Sequence, residues 1–127
     1  MRVLFDVPVV SLITAVQAAL PDLAKAKDAA ILITNGGLGL VDPAVDAMAV
    51  SWNAMGLGVA NAAKHKASAL LSAKLQPQGI YVGEVIVMGQ VKGTAWDSGS
   101  ATLEAATVAN RFWESYTARG PASVTCG

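Results

Sequence analysis

Val9, Leu12, Ile13, Val16, Leu20 and Leu23 recur at the spacing of one helical stripe. Pro8, just ahead of them, suits a first helical turn, where a missing N–H costs nothing, so the pattern predicts a helix over 8–25. Asp28 closes a polar turn, and Ala29–Thr34 is a run of strand length with no polar alternation, as expected of a strand covered on both faces. Asn35-Gly36-Gly37-Leu38-Gly39 breaks the run. Asp42 then reads as an N-cap with Pro43 at the first helical position. The helical region it opens reaches Leu75, with a break near Gly56 and Gly58, and Gln76-Pro77-Gln78-Gly79 ends it. Ile80–Met88 reads as a second buried strand. Gly89–Gly99 reads as a loop, Ser100 or Thr102 as the cap of a third helix, and Glu104 as a carboxylate in its first turn, where the helix dipole favours it. Ala105, Val108, Ala109, Phe112, Trp113 and Tyr116 fill one stripe of that helix and are assigned to packing. Arg119-Gly120-Pro121 stops it, and Ala122–Cys126 forms a short last strand. The order α-β-α-β-α-β implies right-handed crossovers and a parallel sheet, an α/β fold in a single domain spanning residues 1–127.

Composition sharpens this picture. Apolar residues are 54 % of the 127 and charged residues 14 %, so disorder is excluded and a small globule has more apolar surface than it can hide. Part of that surface is expected to meet another subunit. Nine basic and nine acidic side chains cancel, leaving no electrostatic footprint for nucleic acid or an anionic membrane. Ala47–Ala63 carries no charge, but Ser51, Asn53 and Asn61, several small residues and the following Lys64-His65-Lys66 make it a buried or interface helix rather than a membrane span. Asp6 and Pro8 interrupt the apolar start of the chain, which argues against a signal peptide. Cys126 is the only cysteine, so a disulfide framework is excluded and a reducing, cytoplasmic setting is expected.

The helix-ending phrase Leu75-Gln76-Pro77-Gln78-Gly79-Ile80-Tyr81-Val82, the pair Leu20-Pro21 ahead of the strand Ala29–Thr34, and the order of elements resemble the second half of the short-chain dehydrogenase/reductase fold. The resemblance spans nearly the whole chain and implies a partial Rossmann-like parallel sheet with flanking helices. It also implies where a catalytic set would stand. Counting back from Gly79 puts Asn61 at the family's lysine and Leu57 at its tyrosine. If Lys64 takes the lysine role, Ala60 stands at the tyrosine, and Tyr81 and Tyr116 lie elsewhere. Pro8 stands at the helix-one asparagine, and Asn35-Gly36-Gly37 where the serine should follow, with Ser51 the nearest serine. Without the phenol and its lysine there is no acid to protonate a developing alkoxide, so no catalytic residue is expected. By the same resemblance the glycine-rich phosphate loop falls ahead of this chain, and half of the cofactor cleft is expected to be absent. What the resemblance leaves for a nicotinamide is weak: Asn35 and Gly36 after the first strand, Gly89 as the turn glycine, and Thr94 as the threonine, five residues on rather than four.

Three functions compete on these residues. The first is an oligomerising module, a homodimer or tetramer, since helix one and the long helix form the family's subunit contact, with Met48, Trp52, Met55 and Val59 as the contact stripe. No cofactor is expected for such a chain alone. The second is a subunit or fragment of an active NAD(P)-dependent oxidoreductase, paired with a full-length relative of the family. The third is a small-molecule-binding module using a cleft at the strand ends. Gly36-Gly37-Leu38-Gly39 reads as a plain turn rather than a phosphate cradle, because the third glycine of the dinucleotide-binding spacing is missing and Asp42 would repel an anion. His65 has no acidic neighbour in sequence and reads as part of a solvated helix face. Asp97 and Glu104 read as capping residues rather than a metal pair.

Overall fold

The computed structural model describes residues 2–127. Its first helix, α1 (Arg2–Lys25), starts six residues earlier than its apolar stripe predicts. Asp6–Val10 forms a π-helical turn, closed by the Ser11 amide and by Ser11 Oγ, 3.0 Å away, both on the Asp6 carbonyl. The wider turn absorbs Pro8, which has no N–H to give and would clash in a tighter one. The helix therefore runs through the two residues that interrupt its sequence pattern. It is long and apolar enough, by length and composition, to cross a membrane, and little of it is buried.

β1 (Ala30–Gly36) is followed by a 3₁₀ turn at Gly37–Gly39. α2 (Pro43–Ser51) is capped as its sequence predicts, with Asp42 Oδ1 accepting from the amides of Ala44 at 2.8 Å and Val45 at 3.3 Å. α3 (Met55–Leu75) follows after a break at Trp52–Ala54. The break is not at the glycines. Asn53 takes the left-handed conformation at φ 53°, which asparagine tolerates, whereas Gly58 is buried inside α3, where a Cβ would lie 3.1 Å from the Leu38 carbonyl. Close packing, not helix breaking, uses that glycine.

Gly79 at φ 77° turns the chain into β2 (Tyr81–Val87). α4 (Ala105–Ala118) ends on Arg119 in the left-handed region and leads to β3 (Ser123–Cys126). Glu104 proves to be the residue before α4 and makes no side-chain cap; it pairs instead with Lys92.

The sheet is parallel in the order β1-β2-β3, with Ile33 opposite Glu84 and Glu84 opposite Ser123. β2 is central, and its five interior residues are all buried. Because side chains alternate along a strand, Val82, Glu84 and Ile86 share one face of the sheet and Tyr81, Gly83 and Val85 the other. Val82 meets Val16 of α1 and Leu75 of α3 in the main core, joined by Ala29, Ile33 and Ile80. α4 covers the opposite face. Its stripe is only partly inward: Phe112 and Tyr116 are half-buried and Ser115 is buried, but Trp113 is 64 % exposed. Ser115 takes the inward position that Trp113 was expected to fill.

Candidate functional site

A carboxylate in the middle of a buried strand is costly unless donors surround it. Glu84 stands among Val82, Val85 and Ile86 and is 1 % exposed. Its Oε2 accepts from Asn35 Nδ2 at 2.9 Å. Its Oε1 accepts from Ser123 Oγ at 2.8 Å and contacts His65 Nδ1 at 2.6 Å. Strand register brings three of these groups together: Asn35 lies two residues beyond the partner of Glu84 on β1, on the same face, and Ser123 directly opposite on β3. α3 adds the fourth from above.

Asn35 carries the second layer. Its other Nδ2 hydrogen goes to the Asn61 carbonyl at 2.9 Å, and its Oδ1 accepts from the Gly36 amide. Asn61 and His65 are four residues apart, hence on one face of α3, and both address the same strand pair. Lys64 lies beside them, half-buried. Desolvation lowers its pKa below the ordinary lysine value, and attraction to the Glu84 carboxylate opposes that shift. No buried polar side-chain atom among the described residues lacks a partner.

No family model, no curated protein and no solved structure matches this chain. Its architecture is mixed α/β, a three-stranded parallel sheet with flanking helices.

The residues singled out from sequence fall in three places. Asn35 is buried, with both amide hydrogens committed inward, which leaves it no free donor for a nicotinamide. Gly36 packs against the Asn61 side chain, which a Cβ there, 2.7 Å from Asn61 Nδ2, would push aside. Gly89 follows β2, where Leu103 lies over the strand ends, 4.0 Å from a Cβ at Gly89 and 3.4 Å from one at Gly127. Met88 closes over Gly37 in the same region. Thr94 belongs to the exposed loop, its Oγ1 donating to the Val91 carbonyl at 2.7 Å. Asp97 organises that loop by accepting from the amides of Gly93, Gly99 and Ala101, and it caps no helix.

Both tyrosines stand at the other end of the sheet, flanking the Arg119 guanidinium at 5.6 Å for Tyr81 and 5.3 Å for Tyr116. Arg119 in turn donates to the carbonyls of Asp28 and Ala29. Burial raises the Tyr81 pKa, against a Ser115 hydrogen bond and the Arg119 charge. Ala60, where a tyrosine would pair with Lys64, is fully buried, and Asn61 is 8 % exposed.

His65 is the main correction. It is not a solvated bystander, because its acidic partner arrives from β2 rather than from the helix. The signal was present in the sequence as the one charged residue in the apolar run Tyr81-Val82-Gly83-Glu84-Val85-Ile86-Val87. A carboxylate in such a run must find donors on the elements packed against it. Among the described residues, no group of three or more His, Cys, Asp or Glu is placed to hold a metal ion.

Proposed function

We propose that this chain is a short-chain dehydrogenase/reductase-like α/β unit that acts as a self-associating structural or binding module and does not reduce carbonyls alone. One observation carries the reading. Met48, Trp52, Met55 and Val59 are 41 %, 61 %, 62 % and 54 % exposed on α2, α3 and the turn between them. The first turns of α1 pack against α3 and add Val3 and Val7, which are 72 % and 68 % exposed. Apolar side chains in that number on adjoining helices favour cover by a second copy, and a twofold axis lets one face cover itself.

The likeness to the dehydrogenase family is supported by the parallel crossovers and by Leu75–Val82 spanning the joint from α3 into β2; Pro21 lies inside α1, which runs on to Lys25, so Leu20-Pro21 does not mark the helix end that the resemblance implies. The absence of activity is inferred from Leu57 and Asn61 at the tyrosine and lysine positions and from both tyrosines lying at the far end of the sheet. A second reading, pairing with a full-length relative, is favoured by the outer edge of β1. Among the described residues that strand pairs only with β2, and its Leu32 is 42 % exposed.

Sedimentation at micromolar concentration tests the first reading. A dimer or tetramer burying about 800 Å² per subunit is expected, and Trp52→Glu should dissociate it or drive it out of solution. A stable monomer, or a Trp52→Glu variant with unchanged mass and solubility, refutes it. Partition of the wild type into lipid vesicles would assign the apolar face to a membrane instead. NADH and NADPH should not be consumed across a panel of carbonyl compounds; steady turnover that survives repurification would restore the enzyme.

A further inference from the structure

His65 is the only histidine in the chain, and Glu84 holds it by one ring nitrogen. We propose that the Glu84–His65 pair makes His65 Nε2 a nucleophilic site that accepts a phosphoryl group from a small anionic donor, an acyl phosphate or a phosphoramidate.

The tautomer comes first. Asn35 and Ser123 both donate to Glu84, which sets its oxygens as acceptors, so His65 Nδ1 is the donor in the 2.6 Å contact. A neutral ring with its proton on Nδ1 carries a lone pair on Nε2. The direction follows from burial: the Glu84 side chain is 0 % exposed and that of His65 41 %, so the ring runs from core to surface. Nε2 has no hydrogen-bond partner among the described residues and is not a buried atom, which leaves it open to solvent.

As Nε2 bonds to phosphorus, the ring gains positive charge, and the carboxylate fixed at Nδ1 stabilises it without rearranging. The charge around the ring selects the donor. Lys64 and Lys66 precede and follow His65 in the chain and α3 carries no acidic residue along its whole length, so the surface of that helix is net positive and draws an anionic donor in preference to a neutral ester or carbonyl. The step balances within these groups. The Nε2 lone pair forms the N–P bond while the bond from phosphorus to the leaving group breaks, releasing a carboxylate from an acyl phosphate or ammonia from a protonated phosphoramidate. The ring proton stays on Nδ1, shared with Glu84.

The test is to incubate the full chain with potassium phosphoramidate at neutral pH and follow phosphorus-31 NMR and intact mass. One acid-labile phosphohistidine is expected, as the Nε2 isomer, forming at least about tenfold faster than on N-acetylhistidine under the same conditions. Glu84→Gln gives the second arm. Its amide oxygen can accept from Asn35 while its N–H donates to Nδ1, so the cluster stays bonded but the ring proton moves to Nε2. In that variant, with an unchanged circular dichroism spectrum, the rate should fall to that of N-acetylhistidine. No adduct, an Nδ1 adduct, a wild-type rate equal to that of N-acetylhistidine, or a folded Glu84→Gln variant at the wild-type rate would each overturn the proposal. Should Glu84→Gln fail to fold, the isomer and rate of the wild type decide alone.

Discussion

Glu84→Ala is the most informative single change to the fold, because it sets the cost of burying a charge against the value of the donors around it. The substitution removes the acceptor of one Asn35 amide hydrogen and leaves the other on the Asn61 carbonyl. Asn35 is 6 % exposed, so water cannot readily replace the lost partner, and an orphaned buried donor costs about 1–3 kcal/mol. Ser123 and His65 lie nearer the surface and can turn to solvent. The vacated volume adds a cavity between β2 and α3, and relief of the desolvated charge works in the opposite direction. The net expectation is a loss of about 2–4 kcal/mol, a large share of the roughly 5–15 kcal/mol that holds a domain together. At a slope of about 2 kcal/mol per molar urea, the unfolding midpoint should fall by about 1–2 M. Protein concentration must be matched between variants, since self-association would stabilise both. Glu84→Gln, which keeps the volume and most of the hydrogen bonds, should cost less than half as much. If Glu84→Ala unfolds within about 0.5 kcal/mol of the wild type, the cluster contributes no more than its desolvation costs, and the account of the site as a satisfied buried network is wrong.

Two further outcomes check other parts of the structure. A Cβ at Gly39 would fall 2.5 Å from the Asn61 carbonyl carbon and against the Ala62 amide, so Gly39→Ala should destabilise by about 1–3 kcal/mol in urea unfolding, and a neutral result would mean that α3 does not approach the Gly37–Gly39 turn this closely. The amides of Gly93, Gly99 and Ala101, with a smaller contribution from Lys92, hold the Asp97 carboxyl below the ordinary carboxylate value. A lowered folded value means that its contribution to loop order is complete above the unfolded pKa and is lost as pH falls through the folded one. The Gly99 and Ala101 amide signals should therefore shift only at acid pH below the usual carboxylate range, and not in Asp97→Asn; a step at or above that range would refute the assignment.

Much of the fold was legible in local pattern. The run at Tyr81–Val87 lacks polar alternation because both faces of β2 are covered, whereas β1, expected to be covered on both faces, is an edge strand with Leu32 and Thr34 exposed and Ile33 and Asn35 buried; Asp42-Pro43 and Gln76–Gly79 mark helix ends through side-chain and backbone chemistry that acts within a few residues. Those signals are local, so they determined the kinds and order of elements and the parallel sheet. The start of α1 was not legible, because a π turn let the helix pass residues that stop an ordinary one. The break before α3 turned on Asn53, while Gly58, which looks like a breaker, serves packing. The site was the least legible part. Asn35, His65, Glu84 and Ser123 come from four elements, with Glu84 49 residues from Asn35, 19 from His65 and 39 from Ser123. Sequence shows that an acidic residue in an apolar strand must find donors, but periodicity along a chain carries no information on which residues of other elements supply them. Strand register and the seating of α3 on the sheet decided that, because only packing brings a residue's distant neighbours within hydrogen-bonding reach.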